Sequence, residues 1–252
     1  MIEYICTIES FTHAIITFIA FMLINIHTHI PEKQDNQQII YNLIIPETEE
    51  ALETFPDETV PNTWLSAGIH PWYINENNQK AQLEKLRQLA KFQDIKLIGE
   101  CGLDRLKGSP LPLQEEIFIK QIRIAEEVKK PLIIHCVKCF NELISIKKIV
   151  RPKVPMIVHG FNNNLTIAQM LLEKGFYLSL GTAIIQENSN ATQVLQQIPL
   201  EKLFLETDDK EISITEIYEK ASFILKIPLD KLKDITFANY LEICGTNVHV
   251  RQ

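Results

Sequence analysis

Short apolar runs alternate with amphipathic stretches along the chain from residue 23 to near its end. A run of about four to eight apolar residues between Pro, Gly or polar residues is typical of a buried strand, whereas apolar residues spaced three and four apart indicate a helix. This pattern predicts eight strands, at Leu23–His29, Gln38–Ile45, Trp64–His70, Lys96–Leu103, Pro131–Cys136, Val154–His159, Phe176–Leu180 and Leu203–Thr207.

Predicted helices follow most of these strands. The clearest is Leu113–Lys129, where Ile117, Ile122 and Val128 belong to one broad apolar face. Eight strands alternating with helices over about 230 residues predict an α/β fold, a (β/α)8 TIM barrel in a single domain. An open doubly wound sheet is the alternative, but no Gly-rich phosphate loop follows the first strand. The other predicted helical segments are Glu47–Thr54, Gln79–Phe92, Phe140–Ile149, Leu165–Lys174, Ala191–Gln197, Thr215–Leu225 and Asp230–Cys244.

The N-terminal segment does not follow this alternation. Phe11–Ile24 is mostly apolar but too short for a membrane span, and the ten residues before it contain no Lys or Arg, unlike a signal peptide. We therefore expect no membrane association. Residues 1–21 are predicted to be an extension outside the native domain, with the barrel formed by residues 22–252 and Met22 as a possible true start. An extra helix packed on the barrel is the alternative.

Composition narrows the class of protein. The 252-residue chain has 46% hydrophobic residues, an ordinary fraction for a globular protein. Its net charge of −7 argues against a broadly basic surface that coats nucleic acid. It does not exclude nucleic acid held at a single cleft. The five scattered cysteines are odd in number, so a disulfide framework is not expected and a reducing, cytoplasmic location is predicted. A monomer is expected.

Histidine and carboxylate side chains recur where the predicted strands end. Of seven histidines, only His13 and His249 lie elsewhere. Because the carboxyl ends of barrel strands meet at one rim, these side chains are expected to lie together. In chain order they are His27, His29, His70, Glu100, His135, His159, Glu206 and Asp208.

This set of side chains points to metal chemistry. Several imidazoles with two or more carboxylates exceed what a single zinc ion needs and suit a pair of divalent ions bridged by a carboxylate. Mixed nitrogen and oxygen ligands suit Zn, Mn, Fe, Co or Ni, with Mg at an oxygen-rich position. Such ions activate water near neutral pH, so the predicted reaction is hydrolysis of an ester, amide or phosphodiester.

The order and spacing of these motifs resemble the TatD family of metal-dependent deoxyribonucleases, amidohydrolase-like enzymes built on TIM barrels. The resemblance runs from about Leu23 to Gly245. The motifs are His27-x-His29, Gly68-x-His70-Pro71, Gly99-Glu100-x-Gly102-Leu103-Asp104, Pro131-x-x-x-His135, His159-Gly160-Phe161 and Leu205-Glu206-Thr207-Asp208.

The resemblance implies a role for each of these residues. His27 and His29 would bind one metal ion together with Asp208, which would also take a proton from the attacking water. Glu100 would bridge to a second ion. That second ion would be held by His135 and His159, whereas His70 would lie near the substrate, and Glu206 and Asp104 would support the ligands from behind.

The chain departs from the family mainly at cationic positions. Asn25 stands where the family usually has Asp, which predicts weaker binding at the first metal site. Val137 stands where the family often has Arg. Lys138 comes next, but Lys does not replace a bidentate guanidinium on phosphate. The loop after Asp208 is short, and Leu241-Glu242 stands where Arg is common. The remaining predicted substrate contacts are Lys107, Lys138, Lys210, His70 and, as a stacking platform for a base, Trp72.

The leading prediction is a metal-dependent phosphodiesterase acting on DNA. The same metal chemistry on a small amide, lactone or phosphoester is the first alternative, favoured by the missing cations. A barrel that has lost catalysis and acts as a binding module is the second, motivated by Asn25 and the short final loop.

Overall fold

The structure, a computed structural model, describes residues 22–30, 37–48, 50–51 and 64–245. Eight parallel strands pair in chain order, β1 with β2 and so on to β8. They are β1 Leu23–Thr28, β2 Gln37–Ile44, β3 Trp64–Gly68, β4 Ile95–Asp104, β5 Leu132–Val137, β6 Met156–Val158, β7 Tyr177–Leu180 and β8 Leu203–Leu205.

The barrel closes between the first and last strands. Thr28 and Asp208 form a parallel bridge, the backbone N–H of His29 donates to the carbonyl of Asp208 at 3.0 Å, and that of Asp208 donates to the carbonyl of His27 at 3.1 Å. The predicted (β/α)8 barrel is therefore confirmed, and the open doubly wound alternative is excluded.

Seven α-helices lie in the described part of the chain, and none of them is long and apolar enough to cross a bilayer. The N-terminal extension and most of the helical segment predicted at Glu47–Thr54 lie outside the described residues. The helices are α1 Gln79–Leu89, α2 Leu111–Val128, α3 Phe140–Val150, α4 Leu165–Glu173, α5 Asn190–Leu195, α6 Ile214–Leu225 and α7 Leu229–Cys244.

The hydrophobic core has two parts, one between the strands and the helices and one inside the barrel. Most outward-facing strand residues pack under the helices, whereas a second cluster fills the interior near the start of the strands. Helix α7 covers that end, where the ring of Tyr240 stacks on Trp64 with centroids 4.8 Å apart. With its lower end filled by apolar side chains, the barrel leaves its opposite end, where the strands finish, for polar groups.

Candidate metal centre

Glu100 lies at the centre of the polar end of the barrel and is only 3% exposed. Its Oε1 lies 2.7 Å from Nε2 of His159 and 2.9 Å from Nδ1 of His135. Its Oε2 lies 3.3 Å from Nε2 of His29 and 3.5 Å from Nε2 of His27. The two oxygens of one carboxylate therefore face two separate sets of imidazoles.

Asp208 completes the group around β1. It lies three residues after the end of β8 and has a φ of +57°, a conformation that is uncommon for residues other than Gly and often found at functional sites. Its Oδ1 lies 3.6 Å from Nε2 of both His27 and His29. The backbone hydrogen bonds that close the barrel thus also bring this carboxylate to the two histidines.

Asn25 supports that closure instead of facing the histidines. Its Nδ2 donates to Oγ1 of Thr207 at 2.8 Å, and its Oδ1 accepts from the backbone N–H of Thr207 at 3.1 Å. An amide supplies both a donor and an acceptor for this pairing, next to Asp208. The Asn that stands in place of the family's Asp therefore takes part in a contact between β1 and the residues that follow β8.

The donor atoms fit divalent cations. His27 is fully buried, yet neither ring nitrogen has a hydrogen-bond partner, and a buried imidazole left in that state is costly. A cation between its Nε2 and the two carboxylates would satisfy it. Four overlapping groups have ligand atoms within 4.8 Å of one another: His27, Glu100 and His159; His27, His29 and Asp208; His70, Glu100 and His135; and His159, Glu206 and Asp208.

Charge is balanced within this cluster. Burial alone would lower the pKa of His159, but the carboxylates of Glu100 and Glu206 raise it well above its usual range. Burial opposes ionisation of Glu100, yet His159, His135 and His27 hold the pKa of that carboxyl well below its ordinary value. Burial likewise opposes ionisation of Asp208, but His27 and His159 lower its pKa to about 2. The buried carboxylates thus favour positive charge among the imidazoles around them, which bound cations would supply.

Two further carboxylates lie behind the imidazoles. Oε1 of the fully buried Glu206 accepts from the backbone N–H of Gly160 at 2.6 Å and lies 3.4 Å from Nδ1 of His159. Oδ2 of Asp104 lies 3.1 Å from Nε2 of His135. In both cases the carboxylate faces the ring nitrogen opposite the one near Glu100, which is how an outer carboxylate orients a metal-binding histidine.

Three of the five residues predicted to contact substrate, His70, Trp72 and Lys138, border the same rim. His70 is buried, with Nε2 3.2 Å from Oε1 of Glu100, and burial lowers its pKa, so it is a neutral imidazole beside the cluster. Trp72 lies in a 3-10 turn, Pro71–Tyr73, next to His70. Lys138 is exposed and borders a cavity of about 230 Å³ that His159 also lines.

Sequence reasoning missed the amides that hold the site in place. Asn42 on β2 accepts from the backbone N–H of Glu100 at 3.1 Å. Gln121 on α2 pairs with both the N–H and the carbonyl of Ile69, the residue before His70. Gln114 binds the N–H and carbonyl of Asp104 in the same way. The available signal was an amide within an apolar strand and two amides on the apolar face of a helix.

Comparison with known proteins points to one family. A family model described as "TatD related DNase" matches residues 12–245. An "Uncharacterized metal-dependent hydrolase" of Buchnera aphidicola is 33% identical over 60% of this chain and 58% of its own length. The "3'-5' ssDNA/RNA exonuclease TatD" of Escherichia fergusonii is 32% identical over 59% of this chain and 58% of its own length. The aligned region thus spans less than two thirds of these relatives.

A solved structure shares the fold. The TatD homologue YJJV from Escherichia coli superposes with a TM-score of 0.76 at 19% identity, over 90% of this chain and 99% of that one. At that identity the likeness supports the barrel architecture alone.

Proposed function

Since the chain belongs to the family of TatD-related DNases, we propose that it is a divalent-metal-dependent hydrolase that cleaves phosphodiester bonds in DNA at a two-metal site. The observation that carries this proposal is the position of Glu100, whose Oε1 faces His135 and His159 while its Oε2 faces His27 and His29. A carboxylate shared in this way between two sets of imidazoles has the geometry of a bridging ligand.

Six side chains would hold the two ions. His27, His29 and Asp208 would bind one ion, His135 and His159 the other, and Glu100 both. When bound, the ions would lower the pKa of water and neutralise charge on a phosphate group. Zn, Mn, Co and Mg are all compatible with this mixed nitrogen and oxygen set.

The remaining polar groups supply proton transfer and orientation. Asp208 is 36% exposed at its side chain and ionised, so it is suited to accept a proton from the attacking water. Nδ1 of His70 accepts the backbone N–H of Trp72 at 3.2 Å, which leaves the proton on Nε2, pointing into the cluster. That N–H can donate to a phosphate oxygen or to the leaving group.

One observation favours a smaller phosphoester as the second candidate substrate. Two cations at the rim already have acidic partners, since Arg105 pairs with Glu142 and Lys210 with Asp209. Among the described residues near the strand ends, Lys138 is the cation best placed to meet a nucleic-acid phosphate. The complete donor set weighs against the binding-module alternative.

Hydrolysis of a labelled single-stranded DNA oligonucleotide by chelator-treated protein, with Mg, Mn, Co or Zn restored, tests the proposal. We expect metal-dependent shortening that is lost in His135→Ala and Asp208→Ala and kept in Asp209→Ala, the matched control with an exposed carboxylate. Cleavage of a small phosphodiester but not of DNA or RNA would support the second candidate. Absence of both bound metal and cleavage would overturn the hydrolase assignment.

We also propose a cytoplasmic location and a monomer. The four described cysteines, Cys101, Cys136, Cys139 and Cys244, are free thiols, which supports a reducing compartment. Cell fractionation and light scattering test these two proposals.

A further inference from the structure

Trp72 makes polar contacts that a mere platform for bases would not need. Its indole Nε1–H donates to Oδ2 of Asp104 at 2.7 Å, and its backbone N–H donates to Nδ1 of His70. The ring also lies edge-on to His70 and His135, with centroid distances of 4.8 and 5.7 Å. Trp72 is thus fixed at both its backbone and its ring.

Asp104 is only 4% exposed, and its carboxylate has four nitrogen atoms within hydrogen-bond distance. Its Oδ2 faces the indole of Trp72 and Nε2 of His135, and its Oδ1 accepts from the backbone N–H groups of Leu106 and Lys107 at 2.8 and 3.2 Å. Because the indole and both backbone groups are donors, Asp104 acts here as an acceptor, and Nε2 of His135 can donate a proton to its Oδ2.

The proton on Nε2 determines what the other ring nitrogen of His135, Nδ1, can bind. In the tautomer with its proton on Nε2, His135 has its lone pair on Nδ1, the atom that lies 2.9 Å from Oε1 of Glu100. A metal ion beside Glu100 needs that lone pair. We propose that Trp72 is a positioning residue, which acts through Asp104 to hold His135 in the tautomer and orientation that bind the second metal ion. This inference rests on the proposed two-metal site.

Lys107 contacts both Trp72 and Asp104. Its ammonium lies 3.5 Å from the centroid of the indole ring, so a cation covers one ring face, while its own backbone N–H binds Asp104. A stacking role for Trp72 needs an open ring face, whereas the positioning role needs only the indole N–H. The two roles therefore predict different results when Trp72 is replaced by Phe, which keeps an aromatic ring and loses the N–H.

The experiment is a metal titration of chelator-treated protein with Zn or Mn against a competing chelator. We expect Trp72→Phe to bind one of two ions about tenfold more weakly and Asp104→Asn to bind it about 10- to 100-fold more weakly. The double variant should be no weaker than Asp104→Asn alone, because Trp72 acts only through Asp104. Tyr73→Phe is the matched control, and it should bind both ions as the wild type does.

Nitrogen NMR of the histidine side chains supplies a readout that a general loss of packing would not move. In the zinc-loaded wild type, His135 should show a protonated Nε2, and this signal should weaken in Trp72→Phe. Unchanged metal affinity and tautomer in Trp72→Phe, with only a raised KM for oligonucleotide, would overturn the inference in favour of stacking. If the wild type bound no metal ion, the proposed function would fail and the inference with it.

Discussion

The exchange Glu100→Gln tests the centre of the site most directly, because it removes one charge and keeps the shape of the side chain. Glu100 has five histidine nitrogens within 3.5 Å, the nearest being Nε2 of His159 at 2.7 Å. At that distance, with an effective dielectric of about 20, the Coulomb attraction to a protonated His159 is about 6 kcal/mol. Since the amide oxygen of Gln keeps part of the hydrogen bonding, the expected loss in the free energy of unfolding of metal-free protein is about 3–5 kcal/mol.

The sign of the pH dependence follows from the two pKa shifts. The lowered pKa of Glu100 means that its contribution is present above its ordinary value of 4.5 and is lost as the pH falls through its folded pKa. The raised pKa of His159 means that its contribution is present below its ordinary value of 6.5 and is lost as the pH rises through its folded pKa. The destabilisation should therefore be largest at about pH 5.5 and smaller at about pH 9.

Urea denaturation of chelator-treated protein at these two pH values measures the effect. Glu116→Gln is the matched control, since Glu116 forms an exposed pair with Lys120 and should change stability by no more than about 0.5 kcal/mol. A loss of less than about 1 kcal/mol at about pH 5.5, or an equal loss at both pH values, would refute the ion-pair reasoning. Metal analysis of the same variant should give at most one bound ion, against the two ions proposed for the wild type.

Three further outcomes are expected. Protons on His159 compete with metal ions, so apparent zinc affinity should fall as the pH is lowered and loading should release protons, which an indicator-dye titration measures. Tyr240→Ala removes the stack on Trp64 at the closed end of the barrel, so we expect a loss of about 3–5 kcal/mol in urea denaturation with metal stoichiometry unchanged. Lys138→Met should lower the slope of log affinity for an oligonucleotide against log salt concentration by about one, as measured by fluorescence anisotropy. Lys210→Met should have less effect, because Lys210 pairs with Asp209.

The sequence by itself determined the barrel and the set of polar groups at its rim. Strand and helix periodicities are local, so alternating apolar runs were enough to predict eight strands. The rule that parallel strands end at one rim then brought His27, Glu100 and His159 together without any knowledge of distances. Strand ends were the weakest part, since β1 and β8 each stop one or two residues before the predicted bounds.

Only the tertiary structure decided how these groups are arranged. Which oxygen of Glu100 faces which imidazoles depends on the stagger of β4 against its neighbours, and no periodicity in one strand records that stagger. The same holds for two hydrogen bonds in the site. One joins Asn42 to the backbone of Glu100 across 58 positions of sequence, and the other joins Trp72 to Asp104 across 32 positions. Hydrogen bonds between such distant residues depend on barrel closure and register, because these fix the few ångströms over which a hydrogen bond forms.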